Sequence, residues 1–263
     1  MLEGERLDEF FLFYRLVHRT RLPKTMEDGD ACLLEKYHQL GIEQGGRIRD
    51  GLRDAVTNAI IGLGRGFLQH RKNEALREAV ASGRLTPQQY YQQILYLIYR
   101  LLFLMVAEER NLLRCDGELP AAAVEARRFF TLGRLRDLAT EPLSAPERFD
   151  DLYLNLQALF LSLCKEDFAA TLGLPPLNGE LFDCGRTSDI GTAYLDNATL
   201  LRAIRGMSYF TSREERVQRR VNYGALDVEE LGSVYESLLD FQPLLRHDDG
   251  RFTFDLGTGT GAI

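Results

Sequence analysis

Two stretches hold residues whose type and spacing could do chemistry. Asp255 to Gly261, DLGTGTG, places glycines at alternate positions after the strand-like run RFTF. Glycines there supply tight turns and let a backbone approach a nucleotide-like ligand, while an acidic residue at the strand end can orient polar groups. Asp255, Gly257, Gly259 and Gly261 are therefore the candidate cofactor-binding residues. The second stretch, TSREERVQRRVNY, sets Arg213, Arg216, Arg219 and Arg220 against Glu214 and Glu215 and is the most basic short segment of the chain. It reads either as a solvated connector or as an element that contacts nucleic-acid phosphates.

Other chemistry is not written here. There is no G-x-x-x-x-G-K-[ST] loop, no G-x-S-x-G elbow and no H-E-x-x-H pair. Cys32, Cys115, Cys164 and Cys184 form no C-x-x-C pair, and the histidines are equally scattered, so neither a zinc site nor a disulfide framework is expected. None of Lys24, Lys36, Lys72 and Lys165 follows a glutamate at the spacing of restriction-type nuclease cores. No catalytic residue and no metal site are expected.

Composition narrows the classes further. With 263 residues and 45% hydrophobic content, the chain can fill one large core or two modest ones. A net charge of -7 argues against a protein that coats nucleic acid indiscriminately, but leaves room for a local basic face. The start, MLEGERLDEF, lacks the basic segment and apolar run of a signal peptide, and no stretch is expected to reach membrane-spanning length. A cytoplasmic protein with reduced thiols is the expectation.

The elements that must position these residues are mostly helical. In TPQQYYQQILYLIYRLLFLMVAEERNLL, Thr86 and Gln89 make a capping box, and Pro87 suits the first helical position. Ile94 to Ala107 carries one charge, Arg100, so this helix, about 87 to 113, should be the buried centre of the bundle. Arg100 should reach a carboxylate on a neighbouring helix or lie under a functional surface.

Before it, Leu7, Phe10, Phe11, Tyr14 and Val17 suggest a first amphipathic helix with core aromatics. Asp30 can cap a short second helix, and a third, after Gly45 and Gly46, carries Arg47, Arg49, Arg53 and Arg65. Gly62, Gly64 and Gly66 would let another backbone approach or let that helix stop. Asn73 can cap REAVAS, with Gly83 as terminator.

After it, residues 121 to 139 resume helical spacing with a basic edge of Arg127, Arg128, Arg134 and Arg136. Ser144 and Glu147 form a second box opening a helix with Phe149, Leu152, Tyr153, Leu156, Leu159, Phe160 and Leu163 on one side. Residues 174 to 196 have the composition of a surface excursion, and Asn197 can cap ATLLRAIRGMSYF. A last helix starts near Asp227 and stops before Pro243. His247 to Gly250 reads as a polar turn, leaving RFTFDLGTGTGAI as the one β signal.

Taken together, CLLEKYHQLGIEQGGRIRDGLRDAVTNAIIGLGRGFL, YYQQILYLIYRLLFLMVAEERNLL and VNYGALDVEELGSVYESLLDFQP resemble the helical region ahead of the catalytic domain in large adenine-specific DNA methyltransferases of combined restriction-modification and phage-defence systems. The most specific pieces are YRLLFLMVAEER, Tyr99 to Arg110, and ELGSVYESLL, Glu230 to Leu239. The resemblance implies methyl transfer from S-adenosylmethionine to the exocyclic amine of adenine, with this region helping to hold or select DNA, possible other defence-system subunits as partners, and no membrane. The family's T-G-x-Y-Y-T-P stretch and catalytic N-P-P-Y tetrad are absent, since Pro175 and Pro176 are flanked by leucines. DLGTGTGAI is closer to the cofactor loop of other methyltransferase classes.

The expected organisation is a mainly α, multi-helix domain over residues 1 to 245, followed over 246 to 263 by the start of a truncated methyltransferase-like strand and glycine-rich loop. Such a chain is expected to be non-catalytic and to bind no S-adenosylmethionine alone. Two alternatives stay open: a stand-alone helical interaction module, and the substrate domain of a truncated small-molecule or protein methyltransferase.

Overall fold

The computed structural model describes residues 7–22, 32–113, 128–140, 149–165, 169, 172–175, 177, 179–211, 218–226, 228–248 and 251–258. Two compact units are present, Met1–Asp50 and Gly51–Ile263. The protein is mainly α-helical, as its periodicity predicts.

Helix α1 spans Leu7–Val17. Its side chains correct one expectation: Phe11, Leu12, Phe13 and Tyr14 are exposed, not core. A 3₁₀ turn, Arg19–Arg21, follows, with the His18 ring accepting from the Thr20 amide.

Helix α2 runs without a break over Leu33–Gln69, joining what periodicity divides into two helices. Glycine inside a helix costs only about 1 kcal/mol relative to alanine, so Gly41, Gly45 and Gly46 do not end it. Asp30 and the side chains of 37–50 lie outside the described residues. Near the end of α2 the glycines serve close approach. A Cβ on Gly64 would meet the Phe254 ring at 2.3 Å, and one on Gly66 would meet Thr199 at 2.6 Å.

Helix α3, Glu74–Ala81, has Asn73 at its N-cap, but the Asn73 amide points elsewhere. It donates to the carbonyls of Phe67 and Tyr194 and accepts from the Tyr194 amide. Gly83 ends the helix at φ +75°, a conformation glycine adopts without steric cost.

Helix α4, Pro87–Glu109, is the central element. The capping box is present: Thr86 Oγ1 accepts from the Gln89 amide, and Gln89 Oε1 accepts from the Thr86 amide. Tyr90, Ile94, Leu97, Ile98, Leu101 and Leu104 are all buried. Its 23 residues make it long and apolar enough to cross a membrane, more than a count from Ile94 to Ala107 suggests, yet 72% of its most apolar window is buried inside the protein.

Helix α5, Leu132–Leu138, starts at Thr131, which interrupts the expected run from 121 with an extended backbone and accepts from the Arg134 amide. Residues 114–127 lie outside the described set. Helix α6, Asp151–Cys164, buries Leu152, Tyr153, Leu156, Leu159, Phe160 and Leu163 as its spacing predicts. Phe149 lies before the helix and is exposed, and the Ser144–Glu147 box falls on residues not described.

The segment after α6 runs over the surface, as its composition suggests, but it is ordered by buried anchors. It folds into three 3₁₀ turns, Glu180–Phe182, Cys184–Thr187 and Ile190–Thr192, and buries Phe182, Thr187, Ile190, Ala193 and Leu195. Helix α4 supplies the polar anchors. Arg100 donates to Leu181 O, Asp183 O and Thr187 Oγ1 at 2.7–2.9 Å, while Gln93 accepts from the amides of Asp189 and Ile190. Backbone carbonyls and a hydroxyl thus take the place of the expected carboxylate partner, and burial lowers the Arg100 pKa from its ordinary value.

Helix α7, Asn197–Ser208, has Asp196 rather than Asn197 at its N-cap. Asn197 instead accepts from the Leu152 amide, closing the first turn of α6. Strands β1, Tyr209–Thr211, and β2, Gln218–Arg220, pair antiparallel. Helix α8 spans Val228–Leu239, and β3, Phe241–Asp248, pairs antiparallel with β4, Arg251–Thr258. The run around Pro243 is therefore a strand, and β4 continues through Asp255 and Gly257. Both α8 and the β3–β4 hairpin pack on α4: Tyr91 OH donates to Leu238 O, Tyr99 meets Tyr235 edge-on at 4.5 Å, and Tyr90 meets Phe254 edge-on at 5.5 Å.

Candidate nucleic-acid interface

The site is built outward from the C-terminal end of α4, where Glu108 reaches the start of α5 while Glu109 and Arg110 both reach the turn after β2. Glu108 accepts from the amides of Leu132 and Gly133 at 2.7 and 2.8 Å, satisfying donors that the start of α5 would otherwise leave open. Glu109 accepts from the Gly224 amide at 2.8 Å and pairs with Arg136. Arg110 donates to the carbonyls of Gly224 and Leu226. Three consecutive charged residues thereby fix α5 and the turn that follows β2.

Arg136 locks these pieces together. Its side chain is 2% exposed, and its guanidinium donates to Val221 O at 2.8 Å and lies over the Tyr223 ring at 5.3 Å. Tyr223 in turn donates to Met207 O, and burial, opposed in part by Arg136, raises its pKa. Arg136 therefore leaves the expected basic edge and becomes core.

What remains at the surface joins two basic stretches that are distant in sequence. Arg220, on β2, reaches Asp137 of α5 at 3.2 Å, with both side chains substantially exposed. Arg134 lies over the exposed Phe129 ring at 5.3 Å and donates to its carbonyl. Arg128, Thr131, Gly133, Arg134, Asp137 and Leu138 line an open groove of about 540 Å³ beside this pair. An arginine next to an exposed aromatic, at the lip of such a groove, offers a phosphate contact and a stacking face.

Of the four predicted arginine contacts, Arg220 is the one whose side chain is described. Arg219 holds its place in β2 opposite Phe210, with its side chain outside the described residues, as are Arg213 and Arg216 altogether. Sequence reading lists Arg128 and Arg134 as a basic edge. It does not bring them to Arg220, because that juxtaposition depends on the long-range hold of Glu109 on Arg136 and Gly224.

The candidate cofactor residues lie apart from this surface. Asp255 Oδ2 accepts from Arg65 of α2 at 2.7 Å, and Arg65 Nε also donates to Phe254 O. Asp255 and Gly257 stand opposite Leu244 and Gln242 in the β3–β4 ladder, while Gly259 and Gly261 lie outside the described residues. Among the described residues no cluster of three or more histidine, cysteine, aspartate or glutamate side chains could hold a metal ion. Comparison of the chain with models of protein families, with characterised proteins and with solved structures finds no match.

Proposed function

We propose that this chain is the non-catalytic helical portion of an S-adenosylmethionine-dependent, adenine-specific DNA methyltransferase of a restriction-modification or phage-defence system, working in the cytoplasm to position DNA. The observation that carries the reading is the pairing of Arg220 with Asp137, which lines one groove together with Arg128 and Arg134. It adds to the family resemblance of the Tyr99–Arg110 stretch, whose three closing charges build that face. Methyl transfer itself belongs to machinery outside this region.

Fluorescence anisotropy of a labelled duplex, followed across salt concentration with the full chain, tests the proposal. Binding should weaken linearly on a double-logarithmic salt plot, because neutralised phosphates release counterions. Arg220→Ala and Arg134→Ala should each lower the slope by about 1. Asp137→Asn should tighten binding, since it releases Arg220 from its carboxylate partner. A chain with no affinity for DNA at low salt would rule this surface out.

A second reading, a helical module that docks onto another protein, is favoured by one observation. Helix α1 displays Leu7, Phe11, Leu12, Phe13 and Tyr14, each at least half exposed, and such apolar surface marks interaction sites.

A further inference from the structure

Among the described residues, Arg100 is a buried charge without a counter-charge. The residue is 3% exposed, and the groups it donates to, Leu181 O, Asp183 O and Thr187 Oγ1, are all neutral. No carboxylate among the described residues forms an ion pair with it, whereas the buried Arg136 has Glu109. The Asp183 carboxylate is turned to the Gly185 amide. Burial lowers the Arg100 pKa, and Asp183 is the weakest of the neighbours that oppose the fall. Each terminal nitrogen of a guanidinium carries two N–H groups, and these bonds use only one on each. Arg100 also forms part of the wall of an open cavity of about 420 Å³ between α6 and the 3₁₀ segment, a size usual for small-molecule sites. It is the one charged residue among the described residues on that wall. Leu97, Leu154, Phe160 and Leu161 supply an apolar stretch beside it.

We propose that this cavity binds a small organic carboxylate, its acid group on Arg100 and its hydrocarbon body against Leu97, Leu154, Phe160 and Leu161. A bound carboxylate supplies the negative charge that the fold omits, and its two oxygens match paired N–H donors of one planar guanidinium. The low exposure of Arg100 makes that match count. An ion pair shielded from water is stronger than one at the surface, and a neutral occupant would leave the buried charge uncompensated. Inorganic phosphate fits less well. It brings more than one negative charge at neutral pH to a single cation, and no hydrocarbon for the apolar wall.

Isothermal titration calorimetry of the full chain with hexanoate and with benzoate, each run against its own amide, reads the preference for charge. At least one acid should bind about tenfold tighter than its amide, because a hydrogen bond to a charged partner is the stronger kind. Alkylation locates the site. Cys184 is exposed and lines the cavity, so the bound acid should slow its reaction with iodoacetamide and leave that of Cys32 unchanged. Ala158 is exposed on α6 and also lines the cavity, so Ala158→Trp should fill it and abolish binding, with the helix signal in circular dichroism retained. Protection of Cys184 is measured on the wild-type chain and stands whether or not that variant folds. The proposal is overturned if neither acid binds, if acid and amide bind alike, or if inorganic phosphate binds tighter than both acids. It is equally overturned if a bound acid leaves Cys184 alkylation unchanged, or if folded Ala158→Trp keeps full affinity.

Discussion

Arg100 shows how one side chain can organise a segment that composition describes as loop. The residue is 3% exposed, and its guanidinium bonds reach two carbonyls and one hydroxyl within seven residues of chain. Those acceptors sit on turns too short to satisfy one another, so a planar, multi-donor cation does what a helix ladder would do elsewhere. Arg100→Ala should cost about 3 kcal/mol, because it strips charged donors from groups kept away from water. Urea denaturation would measure the cost, and hydrogen exchange should localise the loosening to residues 180–187. Arg100→Lys should recover only part of it, since an ammonium is a point charge and not a fork. A change below about 0.5 kcal/mol would show that the turns hold themselves.

At the scale of elements, the legible features are those in which the signal and its partner lie within one turn of helix. Thr86, Pro87 and Gln89 announce the start of α4 because cap and capped amide are three residues apart, and the structure places all three as read. The α6 stripe is legible for the same reason. Reading fails where the partner is distant. Asn197 looks like the cap of α7 and instead closes α6, accepting from the Leu152 amide 45 residues away. FQPLLRHD carries a proline and gives no strand signal until it is laid beside β4, its partner in the hairpin. Phe11 and Tyr14 look like core because periodicity reports an apolar stripe without reporting what covers it. The centre of the bundle can be tested directly. Leu97 and Leu101 are 1% and 0% exposed, so Leu97→Ala and Leu101→Ala should each cost about 2–5 kcal/mol through lost transfer energy and the cavity left behind. Chemical denaturation that found both near neutral would displace α4 from the core.

For the molecule as a whole, the basic stretches were legible as charge but not as a surface, since their meeting depends on Arg136 turning inward to Glu109 and Val221. The same inward packing gives the protein a pH limit of its own. Tyr90, Tyr91, Tyr99, Tyr153, Tyr223 and Tyr235 are each held above their ordinary pKa, chiefly by burial, with Tyr99 pushed up to about 12. In the unfolded chain these phenols lose their protons near pH 10. Below that pH both states are protonated, and the stabilisation is fully present. Above it the unfolded chain releases protons that the folded chain retains, so stability falls as pH rises, over about pH 10 to 12 for Tyr99. Several groups titrating over overlapping windows make the loss steep. Far-ultraviolet circular dichroism and tyrosinate absorbance, recorded on one alkaline titration, should therefore show buried phenols ionising together with helix loss. Tyr99→Phe keeps a ring against Tyr235 and removes one titrating group, so it should move the midpoint to higher pH. Complete ionisation near pH 10 with the helix signal intact would place these rings in water and undo the packing around α4.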